Sequence, residues 1–268
     1  MTTTVAIAGL GTIGTAVAHR LLAGDVPDMR LAAVACRDVP AAARRLGAAA
    51  AQIRFAAFDE LAELADLTIE CAPAAFLPEI AKPVLTRGKT LMVLSVGALL
   101  AQPELVALAK RSGGRIIVPT GALLGLDAVV AAAEGNIAAV RMITRKPVAG
   151  LLGAPYLVER GIDISGLTAP VRVFAGTARE AAAGFPANLN VAAALSLAGI
   201  GPDLTMVEIW ADPALTRNTH RIIVDADSAR LDMTIENVPS ENPRTGRITA
   251  LSVLAALRRI GAPLRIGT

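Results

Sequence analysis

The stretch Gly9-Leu10-Gly11-Thr12-Ile13-Gly14 places three glycines where the apolar run Val5–Leu10 gives way to an Ala- and Leu-rich segment. In a strand–turn–helix of this kind, the first glycine permits a tight turn and the second lets the backbone approach a pyrophosphate. The third allows the helix to pack closely on the strand. Free N–H groups at the helix start, with the positive end of its dipole, then hold the phosphates. The motif therefore predicts dinucleotide binding by Gly9, Gly11, Thr12, Ile13 and Gly14.

The end of the next apolar run, Leu31–Cys36, bears on which dinucleotide binds. A site for NAD usually has Asp or Glu there, bonded to the adenosine ribose hydroxyls. This chain has Cys36-Arg37-Asp38 instead. Arg37 either receives a 2′-phosphate, which favours NADP, or is a solvated charge at the end of a strand. We therefore expect NAD or NADP as the cofactor.

The two histidines differ in their surroundings. His19 lies in the helix after the glycine turn, where we expect a structural role. His220 lies at the start of a predicted strand and is the only histidine in the second half of the chain. Oxidation of an amine or an alcohol needs a proton acceptor with a pKa near neutrality, which histidine usually supplies. On position alone, a structural role for His220 stays open.

The elements that must position these residues change in character along the chain. Up to about residue 122, wholly apolar strands alternate with Ala-rich helices, which favours a parallel sheet covered on both faces. We therefore expect a doubly wound, Rossmann-type α/β domain over residues 1–122. Strands are predicted at Val5–Leu10, Leu31–Cys36, Arg54–Phe58, Leu67–Ala72, Thr90–Val96 and Arg115–Thr120, and helices at Ile13–Ala23, Pro40–Ala50, Glu60–Ala65 with Asp59 as N-cap, Ala74–Thr86 and Pro103–Ser112.

Residues 123–239 favour a second, α+β domain that holds the substrate. Their strands have short connections and several alternate, as in a mostly antiparallel sheet. We expect the last segment, residues 240–268, to pack back on the first domain through the helix Ile248–Ile260. Strands are predicted at Val140–Thr144, Val171–Ala175, Met206–Ala211, His220–Asp225 and Ala229–Glu236, a helix at Asn190–Gly199, and an apolar face on the last helix at Ile248, Leu251, Leu254 and Leu257.

The composition of the chain argues against several classes of protein. No segment reaches about 18 apolar residues without a break, so we expect no membrane span. The net charge is only +3, the basic residues are dispersed and aromatic residues make up 3%, which argues against nucleic acid as a partner. Cys36 and Cys71 lie in apolar runs, as reduced thiols do, and the N-terminus does not read as a signal peptide. We expect a cytoplasmic protein, with a homodimer as the prior for its assembly.

Several short stretches occur in a fixed order along nearly the whole chain. They are Gly9-Leu10-Gly11, Glu70-Cys71-Ala72, Ser95-Val96-Gly97-Ala98, Gly121-Ala122-Leu123-Leu124-Gly125-Leu126-Asp127, Thr144-Arg145-Lys146-Pro147, Phe185-Pro186-Ala187-Asn188-Leu189-Asn190-Val191-Ala192-Ala193, Asn218-Thr219-His220 and Asn242-Pro243-Arg244-Thr245. Each is short, but together they resemble the L-aspartate dehydrogenase family.

The resemblance implies NAD(P)-dependent oxidation of L-aspartate to iminoaspartate, which hydrolyses to oxaloacetate and ammonia or feeds NAD synthesis. It implies that His220 is the catalytic acid/base, acting on the amino group or on the hydrolytic water. It also implies cofactor contacts through the backbone amide of Leu124 and the side chain of Asn190, and we add Ala72 from its matching stretch. Asn190 also precedes a predicted helix, so N-capping is its alternative role.

Aspartate carries two carboxylates, so its pocket needs fixed cationic donors. Lys146 and Arg244 lead among the candidates because they lie in the family-like stretches, and Thr245 adjoins Arg244. No metal is expected in the site. The chain departs from the family at Arg244, where a Lys is common, and at Leu124, where a smaller residue is common. The remaining candidates are Arg145 and Arg247.

Other functions stay open on the sequence. A related reductase of the aspartate pathway, such as one acting on dihydrodipicolinate, would show paired histidines with a downstream Lys, and this chain has no His-His. A homoserine dehydrogenase fits less well, since no matching Lys/Asp-rich motif is present. A catalytically silent dinucleotide sensor would keep Gly9, Gly11 and Gly14 but would need neither His220 nor Asn190.

Overall fold

The computed structural model describes residues 2–186, 189–240 and 246–267. The chain forms two compact units, Met1–Pro119 with Ala250–Arg265, and Thr120–Thr249 with Ile266–Thr268. Each unit has a sheet of its own, with two hydrophobic cores in the first unit and one in the second.

The first unit contains a six-stranded parallel sheet. Its strands are β1 (Thr3–Ala8), β2 (Met29–Ala35), β3 (Arg54–Phe55), β4 (Leu67–Glu70), β5 (Thr90–Val93) and β6 (Arg115–Ile117), and its helices are α1 (Thr12–Leu22), α2 (Val39–Leu46), α3 (Leu61–Leu64), α4 (Leu77–Thr86), α5 (Val96–Leu100) and α6 (Pro103–Ser112). The strand order β3-β2-β1-β4-β5-β6 is the Rossmann order, which reverses between β1 and β4. This confirms the predicted doubly wound α/β domain.

Helices cover both faces of this sheet because its strands are apolar on both sides. Val5 and Ile7 of β1 belong to the core that includes Val17 of α1. Ala6 and Ala8 point the other way, into the core that includes Ile80 of α4. The alternation of β1 thus feeds two separate cores, one on each face.

The ends of several elements differ from the predicted bounds, two of them as follows. The run Thr90–Val96 leaves the sheet after Val93, because Val96 already begins the short helix α5. Asp59 is not the N-cap of α3, since Glu60 occupies that position. The carboxylate of Glu60 accepts a hydrogen bond from the backbone N–H of Ala57 at 2.8 Å.

The second unit contains a five-stranded sheet in the order β11-β10-β7-β9-β8. Its strands are β7 (Ile137–Lys146), β8 (Val171–Thr177), β9 (Thr205–Ala211), β10 (Asn218–Ala226) and β11 (Arg230–Asn237), and its helices are α7 (Leu126–Ala133), α8 (Pro155–Glu159), α9 (Ala178–Gly184) and α10 (Asn190–Ala198). Strands β7 and β9 pair in parallel and the other neighbours are antiparallel. The prediction of a mostly antiparallel second sheet is confirmed.

The last helix, α11 (Ile248–Gly261), contributes to the core of the first unit. Val253, Leu254 and Leu257 are buried there beside residues of β1 and α1. The predicted apolar face is therefore only partly correct, since Ile248 and Leu251 are 40% and 54% exposed. No helix in the described part of the chain is long and apolar enough to cross a membrane.

Candidate active site

Gly9 stands at the point where β1 leaves the first sheet. Its φ of +101° lies in the region that favours glycine. A Cβ at this position would lie 2.7 Å from the carbonyl oxygen of Cys71 and 2.8 Å from the backbone nitrogen of Ala72. The structure thus brings Ala72, a predicted cofactor contact, against the glycine turn, and only a glycine fits at position 9.

The other two glycines of the turn have opposite surroundings. A Cβ at Gly14 would overlap the carbonyl oxygen of Gly9, so this glycine lets α1 approach β1. A Cβ at Gly11 would meet no described atom within 4 Å, and Gly11 caps α1 without a side-chain hydrogen bond. Packing therefore explains Gly9 and Gly14 but not Gly11. The open space over Gly11, beside a helix start that carries the backbone amides of Thr12 and Ile13, fits a pyrophosphate.

The end of β2 carries the residues that bear on the adenosine ribose. Arg37 is exposed directly after the half-buried Cys36. The carboxylate of Asp38 caps α2 by accepting the backbone N–H of Ala41 at 2.9 Å, so it is turned away from the slot that an acid fills in NAD sites. Arg45, which lies in no motif of the sequence, extends from the last turn of α2 to the glycine turn. Its Nη1 donates to the carbonyl of Leu10 at 2.9 Å.

A buried carboxylate fixes the loop next to the glycine turn. Glu70, at the end of β4, accepts hydrogen bonds from the backbone N–H groups of Leu94 (3.1 Å) and Ser95 (2.8 Å) and from the hydroxyl of Ser95 (2.9 Å). Burial raises the pKa of Glu70, although these hydrogen bonds oppose the rise. Glu70 thus ties the carboxyl end of β4 to the segment that follows β5.

The second unit buries a polar cluster on one face of its sheet. His220 of β10 pairs in register with Thr144 of β7, and its Nδ1 lies 3.2 Å from the Thr144 hydroxyl oxygen. Lys146 lies two residues further along β7 on the same face, and all three side chains are buried. The structure therefore brings together two predicted site residues, His220 and Lys146, and adds Thr144.

Burial sets the electrostatics of this cluster. It lowers the pKa of Lys146 to about 8. Burial, and then the charge of Lys146, lower the pKa of His220 to about 3. The expected near-neutral pKa for His220 is therefore wrong for the protein without ligand, in which the imidazole is uncharged at neutral pH.

Arg145 lies on the opposite face of β7, where it is exposed. Its guanidinium stands over the ring of Trp210, 5.4 Å from the centroid, and 3.9 Å from the carboxylate of Asp212. The alternation of the strand thus separates two neighbouring cations, and only Lys146 joins the buried cluster. Arg247 is exposed. Arg244 and Thr245, the other predicted substrate contacts, lie outside the described residues.

The loop that carries Leu124 is anchored within the second unit. Nδ2 of the buried Asn237 donates to the carbonyl of Ala122 at 2.9 Å. Gly125 has a φ of +64°, and a Cβ there would overlap the side chain of Met233. The loop is thus anchored at Ala122 and packed at Gly125, on either side of Leu124.

Asn190 is the first residue of α10 and is exposed. The N-cap of this helix is Leu189, so the alternative role of Asn190 as N-cap is wrong. Among the described residues, no group of three His, Cys, Asp or Glu side chains is placed to hold a metal ion.

A Rossmann sheet with this glycine turn, followed by a second sheet that buries an ionisable cluster, defines a two-domain, dinucleotide-dependent oxidoreductase. Residues 127–260 match the family "Aspartate dehydrogenase, C-terminal". Residues 9–119 match "Homoserine dehydrogenase, NAD binding domain".

Curated relatives extend this likeness over nearly the whole chain. L-aspartate dehydrogenase 3 of Bordetella bronchiseptica is 58% identical, over 98% of this chain and 97% of that protein. L-aspartate dehydrogenase of Bradyrhizobium diazoefficiens is 57% identical, over 98% and 94%. The chain belongs to the L-aspartate dehydrogenase family. The crystal structure of aspartate dehydrogenase from Thermotoga maritima shares the fold, with a TM-score of 0.76 at 23% identity over 100% of both chains.

Proposed function

We propose that this chain oxidises L-aspartate with NAD+ or NADP+, giving iminoaspartate, the reduced nicotinamide and a proton. Iminoaspartate then takes up water to give oxaloacetate and ammonia, or is consumed in NAD synthesis. The observation that carries the proposal is the buried cluster of His220, Lys146 and Thr144 in a chain of this family.

The first unit holds the cofactor. The backbone at Gly9, Gly11 and Gly14, with the amides of Thr12 and Ile13, binds the pyrophosphate. Arg37 faces a 2′-phosphate when NADP is bound, and Ala72 contacts the cofactor beside the turn. In the second unit, the backbone amide of Leu124 and the side-chain amide of Asn190 meet the nicotinamide carboxamide, since an amide offers both a donor and an acceptor. When bound, the nicotinamide ring supplies a hydride acceptor at C4.

The second unit binds and deprotonates the substrate. Lys146 binds a substrate carboxylate, and Arg244 and Thr245 complete the set of donors. Two carboxylates beside this cluster favour the charged forms of both basic groups, so they raise the pKa of Lys146 and of His220. Lys146 is then held as a cation. His220 exchanges the proton of the amino group or of the hydrolytic water.

The test is reduction of NAD+ and NADP+, followed at the absorbance band of the reduced nicotinamide, with L-aspartate at alkaline pH. D-aspartate and L-homoserine serve as control substrates. Lys146→Ala should lose turnover, whereas Arg145→Ala, a neighbouring cation on the opposite face, should keep it. Reduction with another amino or hydroxy acid but not with L-aspartate would refute L-aspartate as the substrate. Dinucleotide binding without turnover of any of these substrates would favour a catalytically silent dinucleotide sensor.

The proposal extends to a cytoplasmic homodimer. The outward face of the second sheet carries the partly exposed side chains of Ile143, Met206 and Trp210, with Met206 46% exposed. Apolar groups of this kind, ringed by charged residues, are typical of a surface that pairs with a second copy. Light scattering measures the mass, and a monomer at micromolar concentration would contradict this part of the proposal.

A further inference from the structure

The guanidinium of Arg45 lies beside the glycine turn of the first unit. Its Nη1 donates to the carbonyl of Leu10 at 2.9 Å, and the hydroxyl of Thr15 donates to the same oxygen at 3.1 Å. The side chain of Arg45 is otherwise exposed. An arginine has five N–H donors in a planar fork, so this single bond leaves most of them available to a ligand.

The same guanidinium also lies close to the end of β2. Burial raises the pKa of the Cys36 thiol and Asp38 raises it further, while the charge of Arg45 lowers it. Arg45 therefore bonds Leu10 of the glycine turn and lies within electrostatic reach of Cys36. In a Rossmann sheet, the adenosine ribose lies between these two points.

The acid that would recognise a free ribose hydroxyl is replaced at this end of the sheet. Cys36 occupies its slot, and the carboxylate of Asp38 caps α2 instead. Arg37 is exposed next to both. Two arginines, Arg37 and Arg45, are thus available at the end of the sheet where NAD sites have a carboxylate.

We propose that Arg45, together with Arg37, forms a 2′-phosphate site, and that the chain binds NADP+ more tightly than NAD+. The inference rests on the proposed function, because it takes the glycine turn as the cofactor site. A guanidinium fork matches the oxygens of a phosphate, and Arg45 is already held in place by its bond to Leu10.

The test uses the full chain and needs no turnover. Isothermal titration calorimetry compares adenosine 2′,5′-bisphosphate with adenosine 5′-monophosphate, which differ only in the 2′-phosphate. The wild-type protein should bind the bisphosphate about ten- to a hundredfold more tightly, as expected for charge-assisted hydrogen bonds. NADP+ and NAD+ should show the same order.

Arg45→Ala should abolish most of this preference while leaving affinity for the monophosphate and NAD+ within about threefold. Arg44→Ala is the matched control. It makes the same change of charge one residue earlier on α2, and Arg44 is exposed and has no hydrogen bond or ion pair to the described residues. Arg44→Ala should therefore keep the preference, and Arg37→Ala should lose part of it.

Equal affinity of the wild-type protein for the two adenosine phosphates would overturn the inference. An equal fall in affinity for both adenosine phosphates in Arg45→Ala would also overturn it, because Arg45 would then only hold Leu10 in place. If Arg44→Ala lost as much of the preference for the bisphosphate as Arg45→Ala, the preference would come from net charge alone and the inference would be wrong. Failure of the cofactor site on which the inference rests has a different signature, since neither the adenosine phosphates nor NAD+ would then bind at all.

Discussion

Lys146 and Arg145 are adjacent in the chain, yet their environments are opposite. Arg145 keeps its charge at the surface, over Trp210 and near Asp212. Lys146 is 3% exposed, and burial lowers its pKa from 10.5 to about 8. Burial thus disfavours the charged form of Lys146, whereas an anionic ligand beside it would favour that form.

Replacing Lys146 by Met should therefore stabilise the protein while abolishing turnover. A fall of the pKa from 10.5 to about 8 corresponds to about 3 kcal/mol at neutral pH, at about 1.4 kcal/mol for each pKa unit. Urea unfolding should show a gain of up to that size in Lys146→Met. Arg145→Met, at an exposed position, should change stability by less than about 0.5 kcal/mol.

The same residue predicts a pH dependence of stability. Between about pH 8 and 10.5 the unfolded chain binds more protons at Lys146 than the folded chain, so the free energy of unfolding should rise with pH. Lys146→Met should lack this rise. A variant less stable than the wild type at neutral pH would refute this cost of burying Lys146.

His220→Ala should lower kcat by about a hundred- to ten-thousandfold, the usual contribution of a general acid or base. Binding of NAD(P)H should stay within a few-fold, because the glycine turn lies in the other unit. Thr144→Val removes the oxygen 3.2 Å from Nδ1 and should lower kcat less, whereas Thr144→Ser should keep it. If cofactor affinity collapsed in His220→Ala while turnover survived, the catalytic role would be wrong. Stopped-flow kinetics measure kcat, and a fluorescence titration measures the affinity for NAD(P)H.

At the scale of elements, two glycines at the junction of β1 with α1 have different roles. Gly14 serves packing, whereas Gly11 serves the proposed binding of the pyrophosphate. Gly14→Ala places a Cβ against the carbonyl of Gly9, so it should destabilise the protein by about 3 kcal/mol. Gly11→Ala meets no described atom and should change stability by less than about 1 kcal/mol. Only the second variant should fold normally and lose dinucleotide affinity, by at least about tenfold. Normal affinity in Gly11→Ala would show that the open space over Gly11 is not the pyrophosphate site.

The tie between β4 and the segment after β5 gives a second test at this scale. Glu70→Ala leaves the buried N–H of Ser95 and the half-buried N–H of Leu94 without their acceptor and should cost about 3 kcal/mol. Glu70→Gln keeps one oxygen for those donors and an amide for the Ser95 hydroxyl, so its loss should be smaller.

The pH dependence of these variants has a definite sign. Because burial raises the pKa of Glu70, the protonated carboxyl favours the folded state, and stability should fall as the pH rises through the folded pKa. Glu70→Gln should lack that fall. Equal stability of Glu70→Ala and the wild type, measured by urea unfolding, would show that the hydrogen bonds from Leu94 and Ser95 to Glu70 do not stabilise the protein.

The sequence predicts the strands well because their signal is strong. Runs such as Val5–Ala8 are wholly apolar and end at a small residue, so every strand of both sheets overlaps a predicted run. The short helices α5, α7, α8 and α9 were missed. They are too short for the helical period to stand out from an Ala-rich background.

The sequence predicts the site residues only in part. The glycine spacing identifies the turn, since each glycine answers a local requirement of backbone shape. Arg45 gives no such signal, because its contact with Leu10 joins residues 35 positions apart. The pKa of His220 is also beyond the sequence, because it depends on burial and on Lys146 across the strand pair.

At the scale of the whole molecule, the chain returns to its first unit at its end. The core around β1 includes Val253, Leu254 and Leu257 of α11, about 250 residues along the chain from the strand they cover. The core on this face of the first sheet is therefore complete only when the last helix has been made. Residues of the second unit lie between these two segments in the sequence.

Leu257→Ala should thus destabilise the dinucleotide-binding unit from the far end of the chain. Leu257 is 0% exposed, and truncation of a buried leucine costs about 2–5 kcal/mol. Leu251→Ala, on the same helix and 54% exposed, is the matched control and should stay within about 0.5 kcal/mol. Both free energies come from urea unfolding, and hydrogen exchange at the amides of β1 assigns the loss to the first sheet. Exchange that is unchanged at β1 but faster in the second sheet would show that α11 supports the other core.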